Sequence, residues 1–154
     1  MSDKSRIVVL GLGNELLKDE GIGVHAVRRL RKMPGLGGVE VVEGGIQPDA
    51  PLDYGGVGKL IIVDAVLAGG EPGTIYRCRP EDVDRVGSPL TSLHQISLLD
   101  TLRLMEQLGQ KPGEVIIIGI EPESMDYGME MTPRLQEKLP HVVEMVLKEA
   151  GVSS

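Results

Sequence analysis

Residues 7–10 (Ile-Val-Val-Leu) form a β-branched run closed by Gly11 and Gly13, the pattern of a buried strand feeding a tight turn. Residues 39–42 make a second such run, ending at Glu43-Gly44-Gly45. Residues 60–63 (Leu-Ile-Ile-Val) are apolar on both faces, as a central parallel strand requires, and residues 115–118 supply another strand. Residues 74–79 alternate instead and follow Pro72-Gly73, which predicts an edge strand, with an antiparallel pairing left open.

Between these runs the apolar period lengthens. Ile22, Ala26, Leu30 and Met33 share one face of a helix over 20–33, with Arg28, Arg29 and Lys32 outside it and Pro34-Gly35 past its end. Ser92 and Gln95 suit a capping box for a helix over 93–108, followed by Gly109 and Pro112. Thr132-Pro133 reads as the N-cap and first turn of a terminal helix that Pro140 is expected to kink or break. The alternation of strands and helices predicts a three-layer α/β sandwich. Its sheet is mostly parallel, of approximately five strands, and flanked by helices in one domain over 1–154.

Composition narrows the function classes. With no Trp or Phe and only Tyr54, Tyr76 and Tyr127, the core must be aliphatic, and stacking platforms for single-stranded nucleic acid are scarce. A net charge of −7 also disfavours a phosphate backbone as partner. The single cysteine, Cys78, excludes an intrachain disulfide and a cysteine-rich zinc site, and fits a reducing compartment. No apolar run reaches the length of a membrane span, and the start of the chain lacks the form of a secretion signal. The expectation is a soluble, cytoplasmic protein without membrane insertion or nucleic-acid binding.

Open parallel sheets bind ligands outside the carboxyl ends of their strands. Glu20 follows the first strand, Glu43 ends the second, Asp64 ends the third, and His94 lies in the first turn of the next major helix. Two carboxylates and an imidazole, Glu20, Asp64 and His94, can hold a divalent transition metal and leave coordination positions open. Each residue also has a plainer role. Asp19 and Glu20 complement a helix dipole, Asp64 suits a turn, His94 suits an exposed first turn, and Glu43 can hydrogen-bond its glycine loop.

His25, His141 and Cys78 fall outside the expected strand edge. Met125, Met129 and Met131 surround a glycine-containing loop that serves either as a substrate-facing flap or as packing. Gly11-x-Gly13 is no dinucleotide fingerprint, because Leu16 stands where a third glycine belongs.

The segments Val9-Leu10-Gly11-Leu12-Gly13-Asn14 and Asp19-Glu20-Gly21-Ile22-Gly23-Val24 resemble the opening motif of the hydrogenase maturation endopeptidases. The resemblance continues through Glu43-Gly44-Gly45, Leu60-Ile61-Ile62-Val63-Asp64-Ala65, Pro72-Gly73-Thr74, Ser92-Leu93-His94-Gln95 and Gly119-Ile120-Glu121-Pro122. It implies a twisted sheet flanked by helices, metal ligands at Glu20, Asp64 and His94, and a supporting role for Glu43, where the family often has Asp. The implied activity is removal of a C-terminal tail from a nickel-iron hydrogenase large-subunit precursor, after a basic residue. The implied metal is nickel contributed by that precursor, with another divalent ion able to substitute in vitro. A metal-free acid–base role for Glu20 and Asp64 stays open, as does a non-catalytic, nickel-binding assembly chaperone on the same scaffold.

Overall fold

The computed structural model describes residues 3–47, 49–85 and 93–152, without the side chains of residues 3, 83–85 and 93–97. Five strands form one sheet: β1 (Ile7–Leu12), β2 (Val39–Gly45), β3 (Lys59–Ala65), β4 (Ile75–Cys78) and β5 (Glu114–Ile120). Their spatial order is β2-β1-β3-β5-β4. All neighbours are parallel except β4, which pairs antiparallel with β5 at the edge. The sequence expectation for the alternating segment at 74–79 is met.

Among the described residues four α-helices accompany the sheet: α1 (Ile22–Arg31), α2 (Pro80–Arg85), α3 (Leu93–Gln107) and α4 (Pro133–Glu149). Strand alternation divides the core in two. On one face Val9, Ile61, Val63, Ile116 and Ile118 pack with Ile22, Ala26, Val27 and Leu30 of α1 and Leu135, Val142, Val143 and Val146 of α4. On the other, Val8, Leu10, Leu60, Ile62 and Ile117 meet Leu98, Leu99, Leu102 and Met105 of α3. This is the three-layer α/β sandwich that the patterning predicts.

Two expectations need correction. The helix expected from residue 20 begins as a 3₁₀ turn, Lys18–Gly21, and becomes α-helical only at Ile22. Pro140 does not break α4, which runs from Pro133 to Glu149 with the proline inside it. Pro140 removes one donor, but it lies on the exposed face, as does Gln136 four residues earlier, whose carbonyl can turn to water. Buried Leu135 before it and Val142 and Val143 after it anchor both halves to the core.

The far end of α4 is fixed by charge. The Glu149 carboxylate meets Lys59 Nζ at 2.9 Å and Arg77 Nε at 2.7 Å, and Lys59 also donates to the Glu149 carbonyl at 2.8 Å. The hydrogen bond from Arg77, with help from Lys59, draws this carboxyl from 4.5 down to about 2. A depressed folded-state value contributes stability above the unfolded value and loses it as pH falls through the folded one. Glu149→Gln should therefore lower the urea midpoint at pH 7. The gap from the unchanged protein should close between pH 4.5 and about 2. A gap of equal size at both ends of that range would contradict the assignment.

Candidate functional site

Strand order dictates where a cleft must lie. From β1 the chain moves to β2 on one side and then returns to β3 on the other, so the direction of winding switches between β1 and β3. Loops leaving the carboxyl ends of strands at such a switch diverge and leave a crevice. Glu20 lies in the turn that leaves β1, and Asp64 is the penultimate residue of β3.

Glycines let the turn close over the strand ends. A side chain at Gly23 would put its Cβ 2.2 Å from the Val63 carbonyl oxygen and 2.4 Å from that of Leu12, so the start of α1 presses directly on β1 and β3. Gly13, at φ +131°, is tighter still: a Cβ there would lie 1.9 Å from the Glu20 carbonyl oxygen and 3.5 Å from Asp64 Oδ1. The Glu20 backbone and the Asp64 carboxylate thus meet over one glycine. The glycine-rich opening is a packing device that lets the turn carrying Glu20 close on the strand ends.

Asp64 is 1% exposed, and its Oδ1 accepts the Ala65 N–H at 2.8 Å. Its strand partner is Gly119 of β5. Glu20 is half-buried in the 3₁₀ turn. That turn is held by its neighbour Asp19, which is fully buried. Asp19 Oδ2 accepts the backbone N–H groups of Glu123 at 2.8 Å and Ser124 at 3.0 Å, and Oδ1 accepts that of Thr132 at 2.8 Å. The Thr132 hydroxyl donates to the same carboxylate at 2.9 Å. Thr132 stands at the N-cap of α4 as expected, yet its side chain serves Asp19 and makes no cap hydrogen bond to its own helix.

His94 is the second residue of α3, and its side chain lies outside the described residues. Helix direction still fixes the end at which it sits. Gln110 beyond the C-terminus of α3 donates to Met105 at 2.9 Å and accepts from Gly56 at 3.1 Å, just before β3. The C-terminus of α3 is therefore at the amino edge of the sheet. Its 15 residues rise about 22 Å, matching the roughly 23 Å length of the seven-residue β3. The backbone of His94 consequently lies toward the carboxyl edge. Among the described residues, which leave out the His94 ring, no three His, Cys, Asp or Glu side chains group as a metal set.

Glu43, at the end of β2, is engaged differently. Arg28 Nη2 donates to Glu43 at 2.7 Å and to Glu15 at 3.0 Å, and Arg31 lies 3.6 Å from Glu43. The Arg28 hydrogen bond holds the Glu15 carboxyl below its usual value. The network ties β2 and the loop after β1 to α1, so Glu43 stands behind the crevice as a brace. Nearby, burial lowers the pKa of His25, with Arg28 adding to the effect. His25 Nε2 is buried without a hydrogen-bond partner among the described residues.

The Cys78 thiol is pushed up by burial, then by Asp82, which leaves it a poor nucleophile. His141 is exposed on α4. A hollow of about 230 Å³ between α2, the C-terminal half of α3 and the start of β5 lies at the opposite, amino edge.

Two acids did more than the sequence disclosed. Asp19 reads with Glu20 as a dipole pair, because its partners are 104 to 113 residues away. Glu121, 4% exposed, directly follows β5, whose Gly119 is the strand partner of Asp64. Its Oε1 accepts the N–H groups of Ala68 and Gly70, each at 3.0 Å, and the Tyr76 hydroxyl at 2.8 Å, shaping the loop that leaves Asp64. An acid immediately after an apolar strand was the signal available for it. Burial and the Glu121 bond raise the Tyr76 hydroxyl's pKa.

The family model described as "Hydrogenase maturation protease" matches residues 24–149. The chain is 35% identical to the hydrogenase 2 maturation protease of Escherichia coli, covering 97% of this chain and 94% of that one. It is also 35% identical to the hydrogenase expression/formation protein HupD of Thiocapsa roseopersicina, over 96% of this chain and 69% of the relative. Among solved structures, the hydrogenase maturating endopeptidase HybD from E. coli superposes with a TM-score of 0.83 at 34% identity, over 96% of this chain and 95% of that one. HybD from Thermococcus kodakarensis gives 0.77 at 30% identity, over 94% and 99%.

Proposed function

Because this chain belongs to the hydrogenase maturation protease family and is an endopeptidase of hydrogenase processing, we propose that its substrate is the large-subunit precursor of a nickel-iron hydrogenase. It removes the C-terminal tail of that precursor after nickel insertion, using Glu20, Asp64 and His94. The observation that carries this reading is the meeting of the Glu20 backbone and the Asp64 carboxylate over Gly13 at the β1/β3 switch.

The donor set fits a divalent cation. Glu20 and Asp64 supply carboxylate oxygens, His94 supplies an imidazole, and Gly13 puts no side chain between the Glu20 backbone and Asp64 Oδ1. When bound, such a cation polarises a carbonyl or lowers the pKa of water. The chain's own part is positioning. Asp64 is carried on a central strand with one oxygen fixed by Ala65 N–H. Glu20 is carried on a turn that the buried Asp19 locks to the segment ahead of α4. Glu43 braces the rear through Arg28. A substrate group entering the crevice meets acids that need little rearrangement, which lowers the cost of reaching a productive geometry.

The chain offers no thiolate beside these residues, since Cys78 lies on β4. A nickel ion already held by the precursor would complete its coordination here, so that metal insertion and tail recognition are read together. Incubation with nickel-loaded and nickel-free precursor, followed by intact-mass measurement, tests this. Tail release from the loaded form alone is expected. Equal release from both forms would remove nickel gating.

A further inference from the structure

Next to Glu20 the surface becomes apolar in a way that folding does not require. Leu16 is 54% exposed, Tyr127 89% and Met129 62%. They lie on two segments that run side by side. Lys18 N–H donates to the Gly128 carbonyl and Gly128 N–H to the Leu16 carbonyl, both at 2.8 Å, and Leu17 bridges Gly128. Both segments are held from below by Asp19, through its own N–H to the Ser124 carbonyl at 3.1 Å and through its carboxylate.

The exposed side chains therefore sit on two hydrogen-bonded segments, and Leu16 lies four residues before the proposed site acid Glu20. Lys18, between them, keeps a φ of +48°, a conformation costly for a residue with a side chain. A chain with no Trp or Phe leaves its most exposed tyrosine here, while Tyr54 and Tyr76 are half-buried. Grouped exposed apolar side chains mark an interaction surface more often than isolated ones do. Exposed Asp126 and Glu130 flank Tyr127 and Met129 in sequence, and with Glu20 these acids outnumber Lys18.

We propose that Leu16, Tyr127 and Met129 form a docking ledge for an apolar segment of the hydrogenase precursor that also carries a basic residue, held beside the bond to be cut. The proposal rests on the function proposed above. An apolar centre with an acidic margin complements apolar side chains flanked by positive charge. The ledge is continuous with the turn that carries Glu20, so a chain entering the crevice from that side must cross it. A second copy of this chain is the competing occupant.

The test pairs Tyr127→Ser with Met129→Ser in the full chain and uses a nickel-loaded hydrogenase large-subunit precursor as the probe. Binding is read by calorimetry in the cleavage-impaired Asp64→Asn background, and KM and kcat are read by tail release in the otherwise unchanged protein. At least tenfold weaker binding, a matching rise in KM, kcat within about twofold and an unchanged melting temperature are expected. Tail release with unchanged affinity and KM would overturn the ledge while leaving the protease assignment standing. If the unaltered protein binds the precursor without cutting it, the protease assignment fails, and tenfold weaker binding by the double variant would still support the ledge. No binding by the unaltered protein overturns the ledge. A shift from dimer to monomer caused by the double variant, with precursor binding unchanged, would assign the surface to a second copy and overturn the proposal. Asp126→Lys with Glu130→Lys should weaken binding at low salt; unchanged or tighter binding would contradict the basic character of the occupant.

Discussion

Asp64→Asn should yield a folded protein that releases the precursor tail at least about 100-fold more slowly, the lower end of what a positioned acid–base group contributes. The substitution preserves volume and retains an oxygen that can accept the Ala65 N–H, so packing at this 1%-exposed position changes little. What it removes is the negative charge that the proposed site would use to hold a cation or accept a proton. A melting temperature within a few degrees of the unchanged protein, together with lost cleavage, separates chemistry from folding. Cys78→Ser is the control: its half-buried thiol lies on β4 and is pushed away from the thiolate form, so cleavage should persist. Normal tail release by Asp64→Asn would take the residue out of the mechanism, and loss of release by Cys78→Ser would point to a thiol nucleophile.

The second large effect is expected from a residue outside the proposed ligand set. Asp19→Ala withdraws the acceptor from three backbone N–H groups and the Thr132 hydroxyl at once. Each buried donor left without a partner costs about 1–3 kcal/mol, and partial access to water at Glu123 and Ser124 places the total at about 3 kcal/mol. For a chain of this size that corresponds to a fall in Tm of roughly 6–12 °C. Cleavage should fall as well, since the turn that carries Glu20 loses its anchor to the segment before α4. Hydrogen exchange should quicken at Ser124 and Thr132 before it changes in β1 or β3. A Tm unchanged to within about 2 °C would mean that water replaces the carboxylate without penalty.

Periodicity made most of the framework legible. The two-sided apolar run at 60–63 became the interior strand β3, and the alternating segment after Pro72-Gly73 became the antiparallel edge strand β4. Acids placed at strand ends by pattern do lie at the carboxyl edge, because in a parallel sheet that edge follows from chain direction alone. Long-range pairing was not legible. Nothing local distinguishes Asp19 from Glu20, and only the fold brings Thr132 to one of them. Glu43 shows the same limit, since its Arg28 partner lies on α1, where the sequence suggests only a solvated basic face.

Pro140 misled for a related reason. Helix propensity is local, whereas the contacts of Leu135, Val142 and Val143 that carry α4 past the proline come from other elements. The glycines were half legible. Their spacing excluded a dinucleotide fingerprint, but the approach of the Glu20 backbone and the Asp64 carboxylate to Gly13 required the fold.

The most direct test of the account is the intact mass of a nickel-loaded large-subunit precursor after incubation with this protein and with its Glu20→Gln, Asp64→Asn and His94→Ala forms. The account predicts one product, shortened at its C-terminus by a single cut, with the unchanged protein, and full-length precursor with each of the three variants. A full-length precursor in every reaction, or a shortened one with all three variants, would contradict it.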